Sequence, residues 1–132
     1  MYSYLWISIG SALGGVSRYA LSNLIAQRWG ETFPVGTLIV NVTGSFVIGL
    51  FSTLTGPDGT WTVSPTARQF VMIGICGGYT TFSSFSLQTL SLARDGEWLY
   101  MGTNIVLSVV LCLISVWLGH LLAASITTMK GY

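Results

Sequence analysis

Charge is almost missing from this sequence. Five basic and four acidic residues make up 7% of its 132 positions, where a soluble domain carries about 25%. The net charge of +1 and the lack of any basic cluster exclude a nucleic-acid partner. Histidine occurs once, at His120, and the two cysteines, Cys76 and Cys112, lie in apolar stretches. No CxxC or His-rich spacing exists, so they read as small buried hydrophobes, not as a disulfide pair or metal ligands. The N-terminus lacks a basic region and a small-residue cleavage site, so the first apolar segment is expected to be a retained span. No acidic residue falls inside an apolar segment: Glu31, Asp58, Asp95 and Glu97 all sit in links or at segment ends. A proton-coupled exporter needs an intramembrane carboxylate as its relay, so that class is disfavoured, as is a cation channel built on an acidic ring.

What the chain does have is hydrophobicity: 52% of residues are apolar and the mean hydropathy is +0.70. It reads as an all-α integral membrane protein, a single transmembrane channel domain over residues 1–132. The expected spans cover about 4–27, 36–54, 66–92 and 98–124, each near the ~20 residues that cross a bilayer core. Arg28-Trp29-Gly30-Glu31, Thr55-Gly56-Pro57-Asp58-Gly59 and Arg94-Asp95-Gly96-Glu97 are the links. In the first span Gly10 with Gly14, and Ser11 with Gly15, form small-xxx-small pairs, which suit either ordinary helix packing or a subunit interface.

The third span holds the stretch around which the rest is organised. Gly74, Gly77 and Gly78 fall within five residues, and each costs a helix about 1 kcal/mol against alanine. Thr80, Thr81 and two phenylalanines follow at once. Broken backbone survives at membrane depth only where it is buried in protein or lines a wet cavity. The third helix is therefore expected to be broken at its centre.

Polar residues on the other spans keep helical register. Thr37, Asn41, Ser45 and Ser52 share one face of the second span, and Asn104, Ser108, Cys112 and Ser115 one face of the fourth. Asn41 reads either as a helix-to-helix hydrogen bond or as a donor pointing into an ion path. Arg18, deep in the first span, reads as a cap on backbone carbonyls or a snorkelling side chain, and also as a positive charge near a vestibule. Phe82 and Phe85, at i and i+3, suit core or lipid contact. Beside a break, their positive ring edges could instead cradle an anion weakly enough to release it.

Hydroxyls, amides, ring edges and an arginine are donors or positive poles, so an anion is the natural ligand. Basic residues near span ends divide evenly, with Arg68 and Lys130 on one side and Arg28 and Arg94 on the other, which gives no orientation. An unbiased chain could insert both ways, and a dimer of oppositely oriented copies would then have its two-fold axis in the membrane plane. At such an axis, carbonyls freed at the break near Gly77 and Thr80 would suit Na+.

Two stretches carry a resemblance. Gly36-Thr37-Leu-Ile-Val-Asn41-Val-Thr-Gly44-Ser45-Phe46 and Gly77-Gly78-Tyr-Thr80-Thr81-Phe82-Ser83-Ser84-Phe85-Ser86 closely resemble the signature stretches of the Fluc (CrcB) bacterial fluoride channels, and the likeness runs the length of the chain. It implies a dual-topology antiparallel homodimer in the bacterial inner membrane. The pair would hold two fluoride pores and a central, structural, untransported Na+ on the Gly77 and Thr80 carbonyls. It implies that Asn41, Phe82 and Phe85 line the pore, with Ser83, Ser84, Thr37 and Ser108 along the path, and that fluoride leaves the cytoplasm passively and electrogenically, relieving its toxicity. No enzymatic activity is expected. Gln88 stands where many relatives carry a glutamate, and Cys112 stands where the polar stripe favours a hydroxyl. Two other readings remain: a small dual-topology multidrug/proton exporter, and a structural membrane subunit that transports nothing.

Overall fold

The computed structural model describes residues 2–131, and all regular structure among them is helical. Helix α1 spans Tyr2–Trp29 and α2 spans Val35–Leu54. The turn between them passes through Gly30 at φ +79°, a left-handed conformation that glycine adopts without steric cost. Helix α3 covers residues 65–79, α4 spans Phe82–Arg94, and α5 spans Trp98–Lys130. Ser64 accepts the Ala67 N–H at 3.1 Å and Pro65 opens α3, a start signal in which the missing proline donor costs nothing. The α4–α5 turn uses Gly96 at φ +75°. α5 runs six residues past the expected 124, because no breaker occurs before Gly131.

Three segments, Val35–Leu54, Pro65–Arg94 and Trp98–Lys130, are long and apolar enough to cross a membrane. α1 has 28 residues, a length of about 42 Å at ~1.5 Å per residue. Its serines, amides and Arg18 leave it less apolar than the other three.

The glycines of the third segment do not interrupt its winding. Phe70–Cys76, including Gly74, forms π-helical turns, and Gly77–Tyr79 returns to α-helix. Extended backbone comes two residues later, at Thr80 (φ −80°, ψ 157°) and Thr81 (φ −150°, ψ 111°). Gly74 and Gly78 serve close approach instead: a Cβ on Gly74 would lie 3.1 Å from Gly10 Cα, and one on Gly78 would lie 2.9 Å from Ser11 Cα, whereas Gly77 meets no other helix. A Cβ on Gly10 would lie 2.7 Å from the Phe70 carbonyl oxygen, and one on Gly14 would press on the Ile75 carbonyl oxygen and lie 2.7 Å from Tyr79 N. The Gly10–Gly14 pair is thus an internal contact of α1 with α3, while Gly15 meets nothing within 4 Å.

The α2–α5 pair uses the same device. Gly49 of α2 meets the Val116 carbonyl, Gly119 of α5 meets that of Phe46, and the buried Ser115 hydroxyl donates to the Val42 carbonyl at 2.7 Å. The interior mixes small or polar side chains such as Val40, Ala123, Thr37, Asn104 and Ser108 with a few large ones, Ile25, Leu54 and Leu92, whereas Leu13, Val106, Leu113 and Trp117 face outward. Such an arrangement fits lipid, where apolar side chains gain nothing by burial between helices and contact is driven by close backbone approach and hydrogen bonds.

Candidate functional site

The extended pair Thr80–Thr81 interrupts the helical hydrogen-bond ladder: the Thr80 N–H still reaches the Cys76 carbonyl at 3.0 Å, but Thr81 leaves the ladder and other side chains replace its partners. Asn41 of α2 is the main one. Its Oδ1 accepts the Thr81 N–H at 2.7 Å, and its Nδ2 donates to the Thr81 carbonyl at 3.0 Å. One side-chain amide thereby mimics a strand neighbour and satisfies both polar groups of a residue that has left the helix. The Thr81 hydroxyl then caps α4 by accepting the Ser84 N–H at 3.1 Å, and it donates to Ser84 Oγ at 3.0 Å.

These substitutions free specific carbonyls. In an unbroken helix the Gly77 carbonyl would accept from the Thr81 N–H, and the Thr80 carbonyl from the Ser84 N–H. The first donor is committed to Asn41 and the second to the Thr81 hydroxyl. The Gly78 carbonyl is served from outside the segment, by Arg18 Nε at 3.2 Å. Arg18 therefore caps a backbone carbonyl, one of the two roles its position suggested, and it does not line the groove described next.

Between α2, α3, α4 and α5 runs a half-open groove of about 390 Å³. It brings together Asn41, Gly77, Thr80, Phe82, Phe85 and Ser108, six of the residues singled out in the sequence, along with Ser45 and Cys112. No carboxylate and no basic side chain lines it. The Phe82 and Phe85 rings lie 5.4 Å apart at 52°, and Phe82, 78% exposed, stands at the groove's open side. Serine 83 is exposed and Ser84 is occupied by the Thr81 cap, so neither lines the groove. Thr37 is buried against a different cleft, one turn before Asn41.

Some participants carry no signal that singles them out in the sequence. Ser108 donates to Asn104 Oδ1 at 3.4 Å, Asn104 Nδ2 donates to Thr89 Oγ1 at 3.0 Å, and Thr89 donates to the Phe85 carbonyl at 2.7 Å. This relay ties the polar face of α5 to α4 and fixes the turn that carries Phe85. Asn104 and Ser108 were visible as a stripe, but Thr89, lone among leucines and serines, was not. Thr81 did carry a signal, as a hydroxyl three residues before Ser84 at a helix start. Tyr79 hydrogen-bonds Thr43 at 2.7 Å across to α2, a pairing that only tertiary contact reveals. Chemically, the groove offers neutral donors, ring edges and two carbonyls lacking helical partners, which suits transient ion binding and offers no nucleophile–base arrangement.

The family profile described as "CrcB-like protein, Camphor Resistance (CrcB)" matches residues 5–120. The chain is 60% identical over 131 residues to a protein of Opitutus terrae named fluoride-specific ion channel FluC, with 99% of each chain covered. It is 59% identical over 128 residues to a protein of that name from Methylocella silvestris, covering 97% of this chain and 98% of the other. A third, from Rhodospirillum rubrum, is 60% identical over 118 residues, with 89% and 92% covered.

Proposed function

The chain belongs to the CrcB-like family, a family of ion channels and not of enzymes, and from that premise we propose that it is a fluoride-specific channel that lets fluoride leave the cytoplasm passively and electrogenically. One observation carries the proposal beyond its relatives' names. The Asn41 amide, the Phe82–Phe85 pair and the Ser108 hydroxyl converge on one groove that no carboxylate lines. A dehydrated halide loses strong hydration and needs donors in return, because an unpaired charge in low dielectric is costly. Neutral donors and ring edges provide them without a fixed positive charge that would trap the ion.

The same proposal takes all four long helices as spans in the bacterial inner membrane and pairs two oppositely oriented copies. Support for pairing comes from the open groove and from Phe82, 78% exposed at its edge, which a second copy would cover. The proposal also gives Na+ a structural place at the two-fold axis. The carbonyls of Gly77 and Thr80 fit it: they are hard, neutral oxygens whose helical donors are engaged elsewhere. Bound there, Na+ would neutralise converging carbonyl dipoles, while Asn41 holds the Thr81 backbone that presents them.

Liposomes containing the purified protein test the whole reading. The expected result is valinomycin-dependent fluoride efflux in potassium medium, with no chloride efflux. Flux that requires a proton gradient would replace the channel by an exporter, and no flux from folded protein would leave a structural subunit. Exchange of Na+ for N-methylglucamine is expected to slow efflux or loosen the dimer, and indifference would remove the ion. Tags on the two termini, probed from each face of the membrane, should both be reached from either side; single-sided access would remove dual topology.

Phe82→Ala and Phe85→Ala are each expected to slow efflux about fivefold or more while the protein still elutes as the wild-type assembly, since loss of a ring edge removes about 1 kcal/mol or more of ion stabilisation. Wild-type rates in both variants would take the rings out of the pathway.

A further inference from the structure

A second cleft, of about 420 Å³, opens at the end of the bundle where α1 turns into α2 and α4 turns into α5. It adjoins the groove along two helices. On α2, Thr37 lines the cleft and Asn41, one turn on, lines the groove; on α4, Gln88 lines the cleft and Phe85, one turn back, lines the groove. On the channel reading, a path from the end of the bundle to the Asn41 amide would pass through it.

The cleft has a polar floor and an acidic rim. Thr37, 8% exposed, lines the floor. Gln88 also lines the cleft, and its Oε1 is buried and unpartnered among the described residues. The only charged side chains that line the cleft are Glu31, from the α1–α2 turn, and Asp95, just past α4. Arg28 and Arg94, their neighbours in sequence, do not line it. An antechamber that serves an anion path is thus edged by negative charge alone.

We propose that Glu31 and Asp95 are specificity-determining residues that sort anions by charge at this mouth, slowing a halide modestly and holding back dianions such as sulfate or phosphate much more. The inference rests on the channel reading. At equal distance a dianion meets twice the repulsion of a monoanion, and a cleft with low-dielectric walls concentrates the field. Repulsion at the rim keeps such ions from plugging the path. The neutral Gln88 on the floor then matters: it leaves the two rim carboxylates as the sole charges an approaching ion meets before Asn41.

Screening provides the test. The Debye length falls from about 30 Å at 10 mM salt to about 3 Å at 1 M. Fluoride efflux is measured for wild type, E31Q/D95N and the charge-reversed E31K/D95N, at fixed fluoride, with potassium gluconate as background. At ~10 mM ionic strength the neutral variant is expected to conduct about two- to fivefold faster than wild type and the reversed variant faster still, with all three converging at ~1 M. External sulfate is expected to inhibit both variants at concentrations that leave wild type unaffected. Equal rates at low salt, or a change that persists at 1 M, would overturn the proposal, as would identical sulfate sensitivity. Wild-type protein that moves no fluoride would instead overturn the channel reading, and the two failures are distinct.

Discussion

Asn41→Ala is expected to cut fluoride efflux by roughly tenfold or more and to lower the melting temperature of the purified protein, because it strands two backbone groups at about 1–3 kcal/mol each. The Thr81 N–H and carbonyl are both held by this one side chain, and no other amide reaches them. Without the clasp, Thr81 has reason to rejoin the helix, since its N–H would again find the Gly77 carbonyl. That rearrangement would move Phe82 and Phe85, which follow directly, and would take away the free carbonyl at Gly77. Asn41→Asp separates the two roles. It keeps an acceptor for the Thr81 N–H but sets a carboxylate oxygen against the Thr81 carbonyl and adds negative charge to an anion path. It should therefore silence flux more completely than Asn41→Ala. The measurements are liposome efflux and thermal unfolding in detergent. An alanine variant with wild-type flux would show that the clasp plays no part in conduction.

Gly14→Val is expected to prevent assembly of the native fold, shown by loss of the monodisperse peak on size exclusion. The new side chain would press on the Ile75 carbonyl oxygen and sit 2.7 Å from Tyr79 N and 3.1 Å from Gly78 C. All three are backbone atoms, so no rotamer change relieves the clash. Overpacking commonly costs about 1–3 kcal/mol where side chains can adjust, and more where they cannot. The displacement also reaches Arg18, one turn along α1, and breaks its hydrogen bond to the Gly78 carbonyl. Gly15→Val supplies the control, because a Cβ at Gly15 meets nothing within 4 Å. It should elute as wild type. Equal disruption by the two variants would overturn the packing of α1 on α3.

Much of this molecule is readable from residue order. Helix bounds of Val35–Leu54 and Trp98 as the first residue of α5 lie within a residue of what hydropathy and breakers indicate. Asn41, Phe82, Phe85, Ser108, Gly77 and Thr80 meet in one groove, consistent with their shared helical faces and with the resemblance to fluoride channels. Where residue order misleads, the reason is specific. Three glycines lower the helical propensity of the stretch before Thr80, and intrinsic propensity is the only energy a sequence displays directly, yet the winding continues through them. In the fold that cost is offset by the close seating of α1 at Gly10 and Gly14, and the extended residues are instead Thr80 and Thr81, where a partner for the backbone exists. Thr37 lines the adjoining cleft one turn before Asn41, Ser83 is exposed, and the Ser84 hydroxyl is engaged by Thr81.

The sequence by itself determined the solvent this chain folds in and the number of long helices, and it supplied the expectation of an anionic ligand. Those follow from composition and period: few charges, long apolar runs, and no acid among the buried polar groups. Only the tertiary structure decided which backbone leaves the helix and which carbonyls are thereby released. That choice depends on a donor–acceptor pair arriving from another helix, 40 residues away in sequence, and local propensity contains no information about which amide will arrive.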